Sequence, residues 1–119
     1  MSYATDLFLQ AYLQCALWSS SDDNDEPLDN NFSAMDLSEE TYRKMEEDCN
    51  KFVLENWNDI YMDLEKAGHD FWLTRNGHGA GFWDGDWEKE TGERLTKASE
   101  AFGEFDLYVG DDGKVWGTP

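Results

Sequence analysis

The sequence predicts an α+β fold, with helices packed on a small antiparallel sheet in the order ααββαββ. Three observations carry this expectation. Apolar residues recur at helical spacing over 5–18 and 36–68. Asn76-Gly77 and "GDDG" (110–113) are hairpin-turn signatures, each beside alternating residues. Hydrophobic residues at 39% and aromatics at 15% supply a core for a chain of 119 residues, which is the size of one domain, 1–119.

The first helix is expected over about 5–18. In "ATDLFLQAYLQCALW", Leu7, Phe8, Leu9, Tyr12, Leu13, Ala16 and Leu17 form a wide apolar stripe, and Thr5 or Ser2 can cap its start. "SSSDDNDEPLDNNFS" follows within an acidic loop of about 19–35, interrupted by Pro27, as a surface loop or a poorly ordered segment. The second helix is expected over 36–68. Tyr42, Met45, Cys49, Phe52, Val53, Ile60 and Leu64 keep one of its faces apolar. Ser38, or Asp36 with Glu39, marks its start, and Gly68 just past Lys66 marks its end. A break near 56–58 would relieve its unusual length. The opposite face carries Glu40, Glu47, Glu55, Asp59 and Asp63.

"HDFWLTRNGHGAGFWDGDW" (69–87) is different in kind, holding both histidines, four of the ten glycines and three of the six tryptophans. Phe71, Leu73 and Arg75 alternate with Trp72 and Thr74, the period of a strand. With Asn76-Gly77 at the tip, Arg75 would face His78, Leu73 would face Ala80, and Phe71 would face Phe82. The other face would set Trp72 opposite Gly81 and Thr74 opposite Gly79, so that indole rings lie over bare backbone. "ETGERLTKASEAFG" (90–103) predicts a short helix with Leu95, Ala98 and Phe102 inward and Gly103 as its stop. "FDLYVGDDGKVWG" (105–117) predicts the second hairpin.

Charge is the dominant global property. The chain has 27 acids against 9 bases, a net −18, and residues 1–66 carry −12 of it. Such a surface repels nucleic acid and anionic membranes and attracts basic proteins, although solubility alone is also a sufficient reason for it. No basic stripe suited to nucleic acid exists, and no apolar run reaches the roughly 18–20 residues of a membrane span. The start lacks the basic segment of a signal peptide, so a soluble intracellular protein is expected. Cys15 and Cys49 fall in amphipathic helical patterns and are expected reduced and buried.

Chemistry-bearing residues cluster in 69–87. His69, Asp70, Arg75 and His78 make an alternative ligand site, but no HxH, HExxH or CxxC spacing accompanies them, and no metal or cofactor is expected. "DGDWEKE" opens like a calcium loop and lacks that loop's later glycine and glutamate. Nor does a nucleophile motif accompany the Ser, His and Asp residues, so no catalytic residue is assigned. Acids along a helix can also imitate the charge row of duplex DNA and occupy the basic groove of a DNA-processing enzyme; a solvated helix face is the plain alternative.

Over "AGHDFWLTRNGHGAGFWDGDW" (67–87), "GERLTKASEAFGEFDLYVGDDGKVW" (92–116) and "ALWSSSDDNDEPLDNNFS" (16–33), the chain resembles a set of short acidic proteins encoded in tailed-bacteriophage genomes. The resemblance implies a phage gene product acting in the bacterial host cytoplasm. Small acidic phage proteins are often inhibitors of host enzymes, among them anti-restriction proteins, anti-CRISPR proteins and other DNA mimics. The expected function is accordingly a non-enzymatic accessory protein that binds and inhibits a host nucleic-acid-handling or defence protein with a basic surface. Asp22, Asp23, Asp25 and Glu26 on the loop would steer the partner, with Glu40, Glu47, Asp48, Glu55 and Asp59 on the long helix. Trp72, Trp83 and Trp87, where exposed, would be aromatic anchors. A small enzyme or ligand- or metal-binding protein using a His69–His78 hairpin is one alternative, and a phage structural or assembly factor is another.

Overall fold

A glycine decides how the two central helices meet. Gly68 lies against the backbone carbonyl of Phe8, where a Cβ would collide with it, so α1 (Tyr3–Ser19) and α3 (Leu64–Arg75) approach closely. The computed structural model describes residues 3–77, 81–83 and 86–118. Around the α1–α3 pair stand α2 (Glu39–Ile60), α4 (Lys89–Glu100) and one antiparallel hairpin, β1 (Asp106–Val109) with β2 (Val115–Thr118). The fold is thus α+β and helix-rich, with four helices and two strands among the described residues, and the predicted order ααββαββ is corrected.

The correction concentrates in 64–77. Residues 71–75, expected as a strand, form the second half of α3. Their alternation was accidental: Asp70 through Arg75 are all buried, because this half of the helix is packed on several sides, and its exposed residues, Glu65 and His69, lie in the first half. A short, continuously buried run fits helix and strand equally well by periodicity. Asn76-Gly77 ends this helix instead of turning a hairpin. Asn76 donates from its backbone N and its Nδ2 to the Trp72 carbonyl, at 3.3 and 3.1 Å. Gly77, at φ +70°, donates to the Thr74 carbonyl at 3.2 Å. Left-handed Gly serves a helix C-terminus as well as a type I′ turn, so the dipeptide alone does not choose. The expected partners His78, Gly79 and Ala80 lie outside the described residues. Phe82 comes back over α3, its backbone N donating to Thr74 Oγ1 at 3.1 Å.

The long second helix kinks at Asn56, at the break expected near 56–58, and is divided farther on, at 61–63. Ser38 caps α2, its Oγ accepting from Thr41 N at 3.2 Å. Asp36 instead closes a capping box with Ser33 on the short 3₁₀ turn Ala34–Asp36. Asn56 is non-helical inside α2, and its Nδ2 donates to the Phe52 carbonyl at 3.0 Å. A side chain competing for the carbonyl four residues back is a recognised cause of bending. After Ile60 the chain turns through 61–63 and α3 begins, so Gly68 lies inside a helix and does not end one.

The acidic loop is built around Leu28, which is buried in the core. Its turn is closed by Asp22, whose Oδ1 accepts from Asn24 N at 2.8 Å and Glu26 N at 3.0 Å. The C-terminal hairpin matches expectation, with Val109 paired to Val115 and Leu107 to Gly117. It docks on the start of α2, where Ser38 N donates to the Val115 carbonyl and Gly117 N to Thr41 Oγ1, both at 2.9 Å. Phe8, Tyr12, Phe52, Phe71 and Phe82 fill the centre, with the Phe52 and Phe71 rings stacked at 4.2 Å. No described helix is long and apolar enough to cross a membrane.

Candidate functional site

The four residues of the alternative ligand site are pulled apart by the helix that replaces the hairpin. Arg75 points into the core. Its Nη1 donates to Asp48 Oδ2 and Tyr12 Oη, both at 2.9 Å; its Nε donates to the Gly103 carbonyl at 2.9 Å, and its Nη2 to the Phe102 carbonyl at 3.2 Å. The guanidinium also lies 5.4 Å from the Phe71 ring centre and 5.5 Å from that of Phe105. Every feature that suits Arg75 to an anion is thus spent inside the protein, on Asp48 of α2, Tyr12 of α1 and the carbonyls of the α4–β1 connection. Asp70 is buried and accepts from Trp87 Nε1 at 2.8 Å, which ties the chain after α3 back onto it. His69 faces outward, near the Trp18 ring at 6.4 Å, and its Nδ1 stands 3.6 Å from Asp70 Oδ1, beyond hydrogen-bond range. His78 lies outside the described residues. Among the described residues no three His, Cys, Asp or Glu side chains converge on a metal position.

The three tryptophans have separate fates. Trp72 is buried, its Nε1 donating to Ser19 Oγ at 2.8 Å, and it packs edge-on to Tyr12. It holds α3 to the end of α1 and offers nothing to a partner. Trp87 is half-buried, held by Asp70 and covered by the Lys66 ammonium 5.2 Å from its ring centre. Trp83 is 46% exposed. Trp83 and Trp87 line one cleft of about 630 Å³ with Gly92, Thr96, Lys97 and Glu93. Its wall mixes aromatic rings with charges of both signs, and among the described residues its titratable groups are all exposed.

The acids divide in the same way. Asp48 is buried between Lys44 Nζ, 2.9 Å from one oxygen, and Arg75, and so belongs to the core. Asp59 accepts two hydrogen bonds from Arg94, at 2.8 and 3.2 Å. Glu26 accepts from Asn31 Nδ2 at 3.0 Å and remains exposed. Glu40, Glu47 and Glu55 on α2 and Asp23 and Asp25 on the loop are exposed, and none forms an ion pair with a described residue. Asp22 is committed to its turn.

Neither cysteine is a nucleophile in this setting. Both are free and buried. Burial, with Asp70 adding to it, pushes the Cys15 thiol up to about 12. Burial and neighbouring Asp48 push Cys49 up as well, against the opposing charge of Arg75. The neutral thiol is the inert form.

One surface feature has no place among the residues singled out from the sequence. Leu54, Trp57, Tyr61 and Met62 are exposed on and just beyond the last turns of α2. Their signal was available as a second apolar row, offset from the inward stripe. The longer inward stripe and the acids dominate the pattern of α2 and mask it. Comparison of the chain with models of protein families, with curated proteins and with solved structures gives no match.

Proposed function

We propose that the protein is a non-enzymatic phage accessory protein that binds and inhibits a host nucleic-acid-handling or defence protein through its acidic surface. The observation that carries this reading is the set of exposed carboxylates on α2 and the loop with no ion pair among the described residues: Glu40, Glu47, Glu55, Asp23 and Asp25. An internally neutralised surface would serve solubility without leaving such a row available.

Magnitudes limit the form of DNA likeness. Glu40, Glu47 and Glu55 are seven and eight residues apart, or about 10–12 Å along a helix rising 1.5 Å per residue. Duplex DNA carries a charge about every 1.7 Å of its axis. The row therefore imitates DNA as a field that draws in a basic surface, not as a phosphate-by-phosphate replica. Steering of that kind raises association rates and fades with salt.

The test uses the full chain as bait in bacterial lysate, washed through rising salt. Expected is a basic nucleic-acid-handling protein that is retained at about 0.05 M salt and released by about 0.5 M, as screening shortens. Its activity should fall when the purified protein is added, and replacing Glu40, Glu47 and Glu55 together by Gln should weaken both effects. A salt-insensitive complex, or a captured enzyme that keeps full activity, would sink the proposal. A large stable homo-oligomer or virion association would favour an assembly role instead. The ligand-site alternative loses its geometric basis, because 69–75 is helical and Arg75 is turned inward.

A further inference from the structure

The inward face of α2 is apolar through Met45, Cys49, Phe52 and Val53. A second apolar row faces outward: Leu54 is 81% exposed, Trp57 42%, Tyr61 50% and Met62 83%. Isolated exposed hydrophobes are ordinary, but a contiguous row marks an interaction surface. Leu54, Trp57 and Tyr61 stand at i, i+3 and i+7, the anchor spacing with which a helix seats in an apolar groove. The kink at Asn56 does not scatter them. Its φ of −123° and ψ of 18° add up to nearly the same sum as the ordinary helical pair, so the axis bends while the angular phase carries on. Beyond the kink, the Trp57 and Tyr61 rings meet with centres 5.9 Å apart and form one aromatic ridge.

The ridge has a rim of one sign. Between residues 52 and 65 the chain carries Glu55, Asp59, Asp63 and Glu65 and no Lys or Arg. Arg94 pairs with Asp59 and takes it out of the rim, which leaves Glu55, Asp63 and Glu65; Lys51 is engaged over the Phe102 ring at 5.7 Å. We propose that this ridge is the docking face for a partner protein whose apolar groove is rimmed by Lys and Arg. Trp and Tyr anchors in the groove supply the desolvated centre, and the carboxylates meet the basic rim. A second copy of this chain is the wrong occupant, because each copy brings a net charge of −18 and the same acidic rim. The inference rests on reading the protein as a binder of a basic partner, and it says where that partner sits.

Two synthetic helical peptides of equal positive charge serve as probes. One carries Leu on one face and Lys on the other; its twin has Ser in place of every Leu. The full chain is labelled with 5-fluorotryptophan, and the Trp57 fluorine signal is assigned with Trp57→Phe. Expected is that the Lys/Leu peptide binds and moves the Trp57 signal, and that Leu54→Ser with Met62→Ser weakens it by about tenfold or more, a separation of at least 1.4 kcal/mol. The Lys/Ser peptide should bind weakly and leave Trp57 unmoved. Both substituted side chains are highly exposed, so circular dichroism should show an unchanged fold; Trp57→Phe provides a second, milder variant. Equal affinity of the Lys/Leu peptide for both proteins overturns the ridge and leaves the acidic-surface reading standing. Failure of both peptides to bind at low salt overturns both. A concentration-dependent dimer abolished by the same substitutions would assign the face to a second copy and overturn the basic partner.

Discussion

Arg75 and Asp48 form a buried ion pair, Nη1 to Oδ2 at 2.9 Å, with side chains 1% and 8% exposed. The pair joins the last residue of α3 to the middle of α2, and Tyr12 brings in α1 through the same Nη1. Removing one partner leaves the other charged and shut off from solvent. Asp48→Ala is therefore expected to destabilise by about 3–5 kcal/mol, while replacing both by apolar residues of similar volume, Asp48→Leu with Arg75→Met, costs less than the single change. Urea unfolding of the three proteins checks this. A double replacement as damaging as Asp48→Ala would show that the carbonyls of Phe102 and Gly103, and not the charge of the pair, dominate at this position.

Two glycines in α3 and at its end should respond for opposite reasons. Gly68→Ala meets the Phe8 backbone carbonyl, which cannot rotate away as a side chain would, so α1 and α3 must separate. A loss toward the upper end of the overpacking range, about 3 kcal/mol, is expected. Gly77 sits at φ +70° with no described residue near its Cβ position, so Gly77→Ala is expected to cost the left-handed backbone, about 1–2 kcal/mol. Gly77→Asn should recover part of that loss, because Asn tolerates this conformation. Thermal unfolding of the three variants checks the ranking. A Gly77→Ala loss larger than that of Gly68→Ala would contradict the close α1–α3 approach.

These two residues also show what the sequence could and could not reveal. Elements with one wet face were legible: α1, α4 and the C-terminal hairpin fall near their expected bounds, and Ser38 caps α2. Legibility failed in the second half of α3, where the unbroken burial of 70–75 erases the period and the Asn-Gly signature is shared by a helix end and a hairpin. The candidate site inherited that error. His69, Asp70 and Arg75 share a sheet neighbourhood only if 71–75 is a strand; on a helix, Arg75 enters the core while His69 faces water. Glu40, Glu47 and Glu55 lie exposed on α2 as expected, whereas Asp63 falls beyond it, Asp59 is half-buried against Arg94, and Asp48 is buried because Arg75 arrives from a distant part of the chain. No local pattern encodes that pairing. The Leu54–Trp57–Tyr61 row was present in the spacing, but only the structure shows that nothing in the described chain covers it.

The thiols give stability a defined pH dependence. Burial raises Cys15 from 9.0 to about 12, and Cys49 is raised in the same direction. Between the unfolded and folded values the folded protein keeps protons that the unfolded chain has released. The unfolded state therefore binds fewer protons, and stability declines as pH rises from about 9 toward 12. Below 9 this contribution is fully present and flat. Cys15→Ala and Cys49→Ala should each reduce the slope of stability between pH 9 and 11, measured by urea unfolding, whatever they do to its absolute level. In the folded protein at pH 8, a thiol-reactive disulfide reagent should label neither cysteine until denaturant is added, because both are neutral and buried. Rapid labelling of native Cys15 at pH 8 would mean that the α1–α3 contact opens readily, and would contradict the tight seating of Gly68 on Phe8.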